Sequence, residues 1–159
     1  MGVTGAGKTT IARALGLALN LEYLDADALH PSANVAKMAA GHPLDDSDRG
    51  PWLDAVGRAT VGRPRGVVVA CSALKRRYRD ALLHHAPGIF FVHLALPETV
   101  LESRLASRPD HFMPRSLLPS QLDALEPLEA GEAGITVEAT VPVDEIVATI
   151  VRHLPEQAA

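Results

Sequence analysis

Cysteine is almost missing from this chain: Cys71 is the single one among 159 residues, which excludes an internal disulfide and a zinc cluster built on cysteines. Positive charge is not in excess either. The formal net charge is −4 and the pI lies near 5.9, so no electrostatic footprint points to a nucleic-acid partner. No apolar run approaches the roughly 20 residues that a spanning helix needs, and the opening residues lack the layout of a secretory signal, so no membrane partner is expected. Repeats, low-complexity segments and an N-K-x-D element for guanine are also absent, and the last of these argues against a GTPase. The remaining composition, 47% hydrophobic and 21% charged, is ordinary for a globular chain. The length fits one domain over residues 1–159, large enough to bury most of a core, and a cytoplasmic setting is expected.

The opening MGVTGAGKTT carries G-x-x-x-x-G-K-[ST] complete, as Gly2, Val3, Thr4, Gly5, Ala6, Gly7, Lys8 and Thr9, with Thr10 behind it. Glycines let the backbone curl so that successive N–H groups point at phosphate oxygens. Lys8 supplies a point charge for the outer phosphates, and the Thr9 hydroxyl suits Mg²⁺. Ile11, Ala14, Leu15, Ala18 and Leu19 then fall at helical spacing. The N-terminus of that helix adds partial positive charge at the same anion. A glycine-rich turn capping an ordinary helix is the plain alternative, and the Lys-Thr pair in correct phase argues against it.

Further along, strands and helices alternate. Strand candidates are residues 21–24, 67–71, 89–94 and 135–138, of which VVVAC at 67–71 has the continuous β-branched character of a strand buried on both faces. Helices are predicted near 74–85, 97–107 and 116–125 and at the C-terminus. Residues 31–62 look helical with breaks at Gly41-His42-Pro43 and Gly50-Pro51. This order predicts an α/β doubly wound parallel sheet. The Pro-rich, polar stretch 108–133 interrupts it and is the candidate for a mobile lid.

An acid that organises Mg²⁺ often ends an apolar strand in phosphate-loop proteins. The 67–71 run ends in Cys71-Ser72 without one; the acids, Asp25 and Asp27, follow the weaker strand instead. A small-molecule kinase can use that arrangement. One carboxylate holds Mg²⁺ through water while the other accepts the proton of an attacking hydroxyl. The plain alternative is a solvated strand-end turn. HPSANVAKMAAGHPLDDSDRGPW and CSALKRRYRD add His30, Lys37, Trp52, Arg76, Arg77 and Arg79. Singly, these read as a cap, surface charges, a core indole and a wet helix face. Together they lie where a phosphate acceptor must bind, and a polyhydroxy acid would need such groups for its carboxylate and hydroxyls.

With these blocks, and with LESRLASRPDHFM and SLLPSQLDALEPLE in the same order, residues 1–130 resemble the gluconokinases of the small phosphate-loop type, relatives of shikimate kinase and adenylate kinase. The resemblance implies ATP- and Mg²⁺-dependent phosphorylation of D-gluconate at its 6-hydroxyl. It makes Asp27 the base and Asp25 the support of the magnesium water shell. His30, Lys37, Asp48, Arg49, Lys75 and Arg79 lie in the family's acceptor-side blocks as gluconate contacts. Arg104 resembles the arginine that packs on adenine, and Arg108 the one that reaches the transferring phosphate. Ser72 and Gln121 are weaker candidates and His111 is undecided. Cys71, His84, His85 and His93 are assigned to structure. The family is often dimeric, so a homodimer is compatible with the resemblance. Two rivals stay open: the same fold acting on another small hydroxylated acceptor such as shikimate or a nucleoside monophosphate, and an ATP-binding module without turnover.

In proteins of this kind the phosphate loop follows a central strand with parallel neighbours on both sides. Met1 alone precedes Gly2, so the first strand is largely missing and an apolar strand of about five residues is expected upstream.

Overall fold

The computed structural model describes residues 1–107 and 115–155. Helix α1 (Lys8–Leu19) leaves the phosphate loop and turns at Asn20, whose left-handed backbone ends it. Strand β1 (Glu22–Asp25) follows, and a 3-10 turn, Ala26–Leu29, starts directly from it with Asp25 as its cap. Helices α2 (Ser32–Ala39) and α3 (Asp46–Thr60) precede β2 (Val67–Ala70). Then come α4 (Arg76–His85), β3 (Phe91–Ala95), α5 (Glu98–Ala106), a 3-10 turn Arg115–Leu117, α6 (Leu118–Ala124), β4 (Gly134–Glu138) and α7 (Val143–His153).

The strands form two parallel pairs, β1 with β2 and β3 with β4. Met1 and Gly2 lie between the pairs. The Met1 nitrogen donates to Val92 O, Leu94 N donates to Met1 O at 3.0 Å, and Gly2 N donates to Ser72 O at 3.1 Å. A cavity of about 460 Å³, lined by Ile11, Leu15, Val68, Phe91 and Ile150 among others, lies between the same two pairs. Beside it Val67, Val68 and Val69 are only half-buried, not covered on both faces as their run predicts.

One apolar cluster joins α1, α5, α7 and the β3–β4 pair through Ile11, Leu15, Leu94, Leu101, Ile146 and Ile150. A second joins α3 and α4 to the end of β2 through Trp52, Leu53, Val56, Cys71, Tyr78 and Leu82. The predicted break at Gly50-Pro51 does not occur: α3 runs through it. A proline inside a helix costs about 3 kcal/mol. Here it sits on an exposed face, where water can take the freed Ser47 carbonyl, and opposite it Trp52, Leu53 and Val56 are buried. At about 1.5–3 kcal/mol per buried side chain, that face outweighs the loss. A capping box between Asp45 and Asp48 secures the start of the helix.

The expected lid divides. Residues 108–114 are outside the described set, but the stretch beyond them is anchored to the body. Leu117 and Leu118 are buried, Glu126 N donates to Leu74 O at 2.8 Å, and Glu132 pairs with Arg79 at 2.5 Å. No described helix is long and apolar enough to cross a membrane.

Candidate active site

The phosphate loop is held open by backbone geometry. Gly5 and Gly7 have φ of 79° and 91°, values a side chain would make strained. A Cβ at Gly5 would also meet Leu105 at 3.2 Å. Gly7 caps α1 with no side-chain hydrogen bond, and no acid stands in the first turn. The amides that open α1 are therefore left to an external anion. Thr4 N donates to Gln121 Oε1 at 2.7 Å, which ties the loop to α6. The Thr4 hydroxyl is buried without a partner among the described residues. Lys8 Nζ folds back onto Val3 O at 2.8 Å. Burial lowers the pKa of Lys8, and Asp27 is the first of the acids that oppose the shift. Thr9 and Thr10 are exposed beside it.

Facing the loop, β1 ends in Asp25. Its Oδ1 accepts from Asp27 N at 3.1 Å and its Oδ2 from the Tyr23 hydroxyl at 2.8 Å. Thr9 lies near enough to Tyr23 to act on its phenol, so Thr9 and Asp25 share a neighbour. One hydroxyl and one carboxylate are what Mg²⁺ takes from a protein when phosphates and water fill its remaining positions, so the donor set fits that ion. Asp27 lies one short turn on. His30 Nε2 is 3.9 Å from its Oδ1, with the His30 side chain 3% exposed. Trp52 stacks on the His30 ring at 4.2 Å and donates its own N–H to Ala26 O at 2.7 Å. Burial first, then the positive charge of Arg49, pushes His30 down to about 4.

Next to His30 is a cationic patch around Tyr78. Arg49 and Lys75 each lie 5.5 Å from the ring centre and Arg77 lies 5.9 Å away. The carboxylate of Asp46 meets Lys75 at 3.0 Å, Arg77 at 2.7 Å and the Tyr78 hydroxyl. Burial and the Asp46 bond push the Tyr78 phenol up to about 12, so it stays protonated. Three cations around the Tyr78 ring against the one carboxylate of Asp46 leave positive charge for an anionic group.

The remaining expected residues sort by what they touch. Lys37 binds Asp48 at 2.5 Å and Asp45 at 3.3 Å, so Lys37 and Asp48 tie α2 to the cap of α3. Arg79 needs correction as an acceptor contact. It is fully buried, and its five N–H groups bond Glu132 through Nε and Nη2, Glu126 O at 3.0 Å, Leu74 O at 3.3 Å and Pro127 O at 3.2 Å. No donor is left for a ligand. Arg104 Nη2 holds Ala139 O at 2.8 Å, and its Nη1 would lie 3.6 Å from a Cβ at Gly7, which puts it beside the phosphate loop. Arg108 and His111 are outside the described residues. The sequence reading missed Asn34, Asp46 and Tyr78 as members of this cluster. Spacing held the only signal: Asn34 is four residues from His30, and Tyr78 three from Lys75.

A family model described as an AAA domain matches residues 1–128. The gluconokinase of Gluconobacter oxydans is 45% identical over 156 residues, covering 96% of this chain and 88% of that protein. The unliganded crystal structure of a sugar kinase from Janibacter superposes with a TM-score of 0.90 at 41% identity, covering all of this chain and 95% of its own. A gluconokinase structure from Sinorhizobium meliloti does so at 0.84 and 44% identity, covering 97% and 88%.

Proposed function

The chain belongs to the gluconokinase family of phosphate-loop kinases, and from that premise we propose that it transfers the terminal phosphoryl group of ATP to the 6-hydroxyl of D-gluconate. The observation that carries the reading is the juxtaposition of Lys8, on an uncapped helix N-terminus, with the Asp27 carboxylate and the cationic patch beyond His30. The loop amides and Lys8 bind and orient the outer phosphates, and their fixed dipoles meet the charge that develops during transfer. Asp27 accepts the proton of the attacking hydroxyl. Arg49, Lys75 and Arg77 hold the carboxylate at the far end of the acceptor. Arg104 lies on the nucleotide side, and Arg108 is proposed to reach the transferring group. Mg²⁺, when bound, neutralises phosphate charge; Thr9 would ligate it and Asp25 would hold its water shell. The single domain over residues 1–159 belongs to the same proposal.

The test is ADP release over a panel of sugar acids, shikimate and nucleoside monophosphates, with phosphorus NMR of the product. Turnover with gluconate and a 6-phosphate product is expected. Preferred turnover of another panel member would overturn the acceptor, and nucleotide binding without any turnover would overturn the enzyme.

A further inference from the structure

Asn34 is buried beneath the acceptor site and belongs to none of the roles above. Its Nδ2 lies 2.9 Å from the backbone carbonyl of Asp48. A carbonyl only accepts, so the amide must present its NH₂ group there and not its oxygen. The same nitrogen lies 3.4 Å from Nδ1 of His30. With one hydrogen on Asp48 O, the other points at Nδ1, which must then be a bare lone pair. A neutral imidazole bare at Nδ1 carries its proton on Nε2. That atom is 3.9 Å from Asp27 Oδ1, too far for a direct bond but a gap that a ligand oxygen bonded to both could span. Trp52 lies flat on the ring, 12° from parallel, and limits its rotation.

We infer that Asn34 is a positioning residue that locks His30 as the Nε2–H tautomer, so that the site offers two adjacent hydroxyls a matched pair: the Asp27 carboxylate as acceptor and His30 Nε2–H as donor. The hydroxyl pairing rests on the gluconate reading; the tautomer does not. The charged groups facing the ring are Asp27 and Arg49. The Arg49 charge and the burial of the ring both oppose a second proton, which keeps Nδ1 free for Asn34.

Nitrogen NMR of the labelled full chain at neutral pH reads the tautomer directly, and the signal lost in His30→Gln assigns it. The unaltered protein should show an unprotonated Nδ1 and a protonated Nε2. Asn34→Asp replaces the donor with an acceptor. It should move the proton to Nδ1 and raise KM for gluconate about tenfold, the effect of about one lost hydrogen bond, with KM for ATP unchanged. A proton on Nδ1 in the unaltered protein, or an unmoved tautomer in Asn34→Asp, would overturn the inference. So would a moved tautomer with unchanged gluconate KM. If Asn34→Asp does not fold, Asn34→Ala carries the test: mixed tautomers support the lock and a single unchanged one overturns it. Failure of the unaltered protein to turn over gluconate would count against the gluconate reading alone, because the ring spectrum still decides the role of Asn34.

Discussion

Asp27, the proposed base, stands between Lys8 and His30. Asp27→Asn keeps the shape and removes the base. It should lower kcat by roughly 10²–10⁴-fold while ATP affinity, measured by titration, stays close to normal. A near-normal kcat would move the base to Asp25. Arg49 is the second test. Its guanidinium lies over Tyr78 and, among the described residues, reaches only Leu44 O, at a long 3.4 Å, which leaves most of its donors for a carboxylate. Arg49→Lys loses the two-pronged fork, so KM for gluconate should rise and KM for ATP should not. Equal rises in both would assign Arg49 to the fold. His30 adds a pH effect. Its pKa falls from an ordinary 6.5 to about 4 in the folded chain, so the unfolded chain binds a proton that the folded one refuses. Stability should be fully present above pH 6.5 and decline as pH falls toward 4. His30→Gln should flatten that part of the Tm profile, and an unchanged profile would place the acid sensitivity elsewhere.

At the scale of elements, the buried Arg79–Glu132 pair fixes the segment ahead of β4 onto α4. Arg79 holds the Glu132 carboxyl below the usual carboxylate range through its hydrogen bonds. Removing one partner of such a pair leaves a buried charge uncompensated, so Glu132→Ala should lose about 3–5 kcal/mol in denaturant unfolding. Both KM values of the folded fraction should remain unchanged. A raised gluconate KM without lost stability would return Arg79 to the acceptor site. The same pair shows what the sequence could and could not tell. Phosphate loop, helix phases and strand positions were legible because period, glycine placement and β-branched runs are local signals. That Asp25, Asp27, His30 and Arg49 lie together was legible through chemistry and resemblance. Arg79 was misjudged because nothing local distinguishes it from Arg77 two residues away; only the fold brings Glu132, 53 residues later, against it. Asn34 was missed for a related reason, since its donor is aimed by the carbonyl of Asp48 on another helix. Pro51 misled because its cost is offset by burial on the opposite face.

Across the whole molecule, the two strand pairs meet through Met1, Gly2 and Ser72, and Cys71 lies at that seam. Phosphate groups would bind on one side of it and the acceptor on the other, so ligands should hold the halves together. Cys71 reports on this without mutation. It is buried, and burial pushes its thiol up to about 11, so neither access nor charge favours reaction in the closed chain. Labelling by a thiol reagent near pH 8 should therefore wait for the seam to open. A ligand at about a hundred times its Kd stabilises the folded state by about 2.7 kcal/mol, so saturating ATP should slow labelling by roughly a hundredfold when opening is global. Slowing much smaller than the measured rise in stability would mean that the seam opens locally while both clusters stay folded. Labelling at the rate of a free thiol would show the seam open in the native chain, and the coupling of the halves by ligands would be refuted.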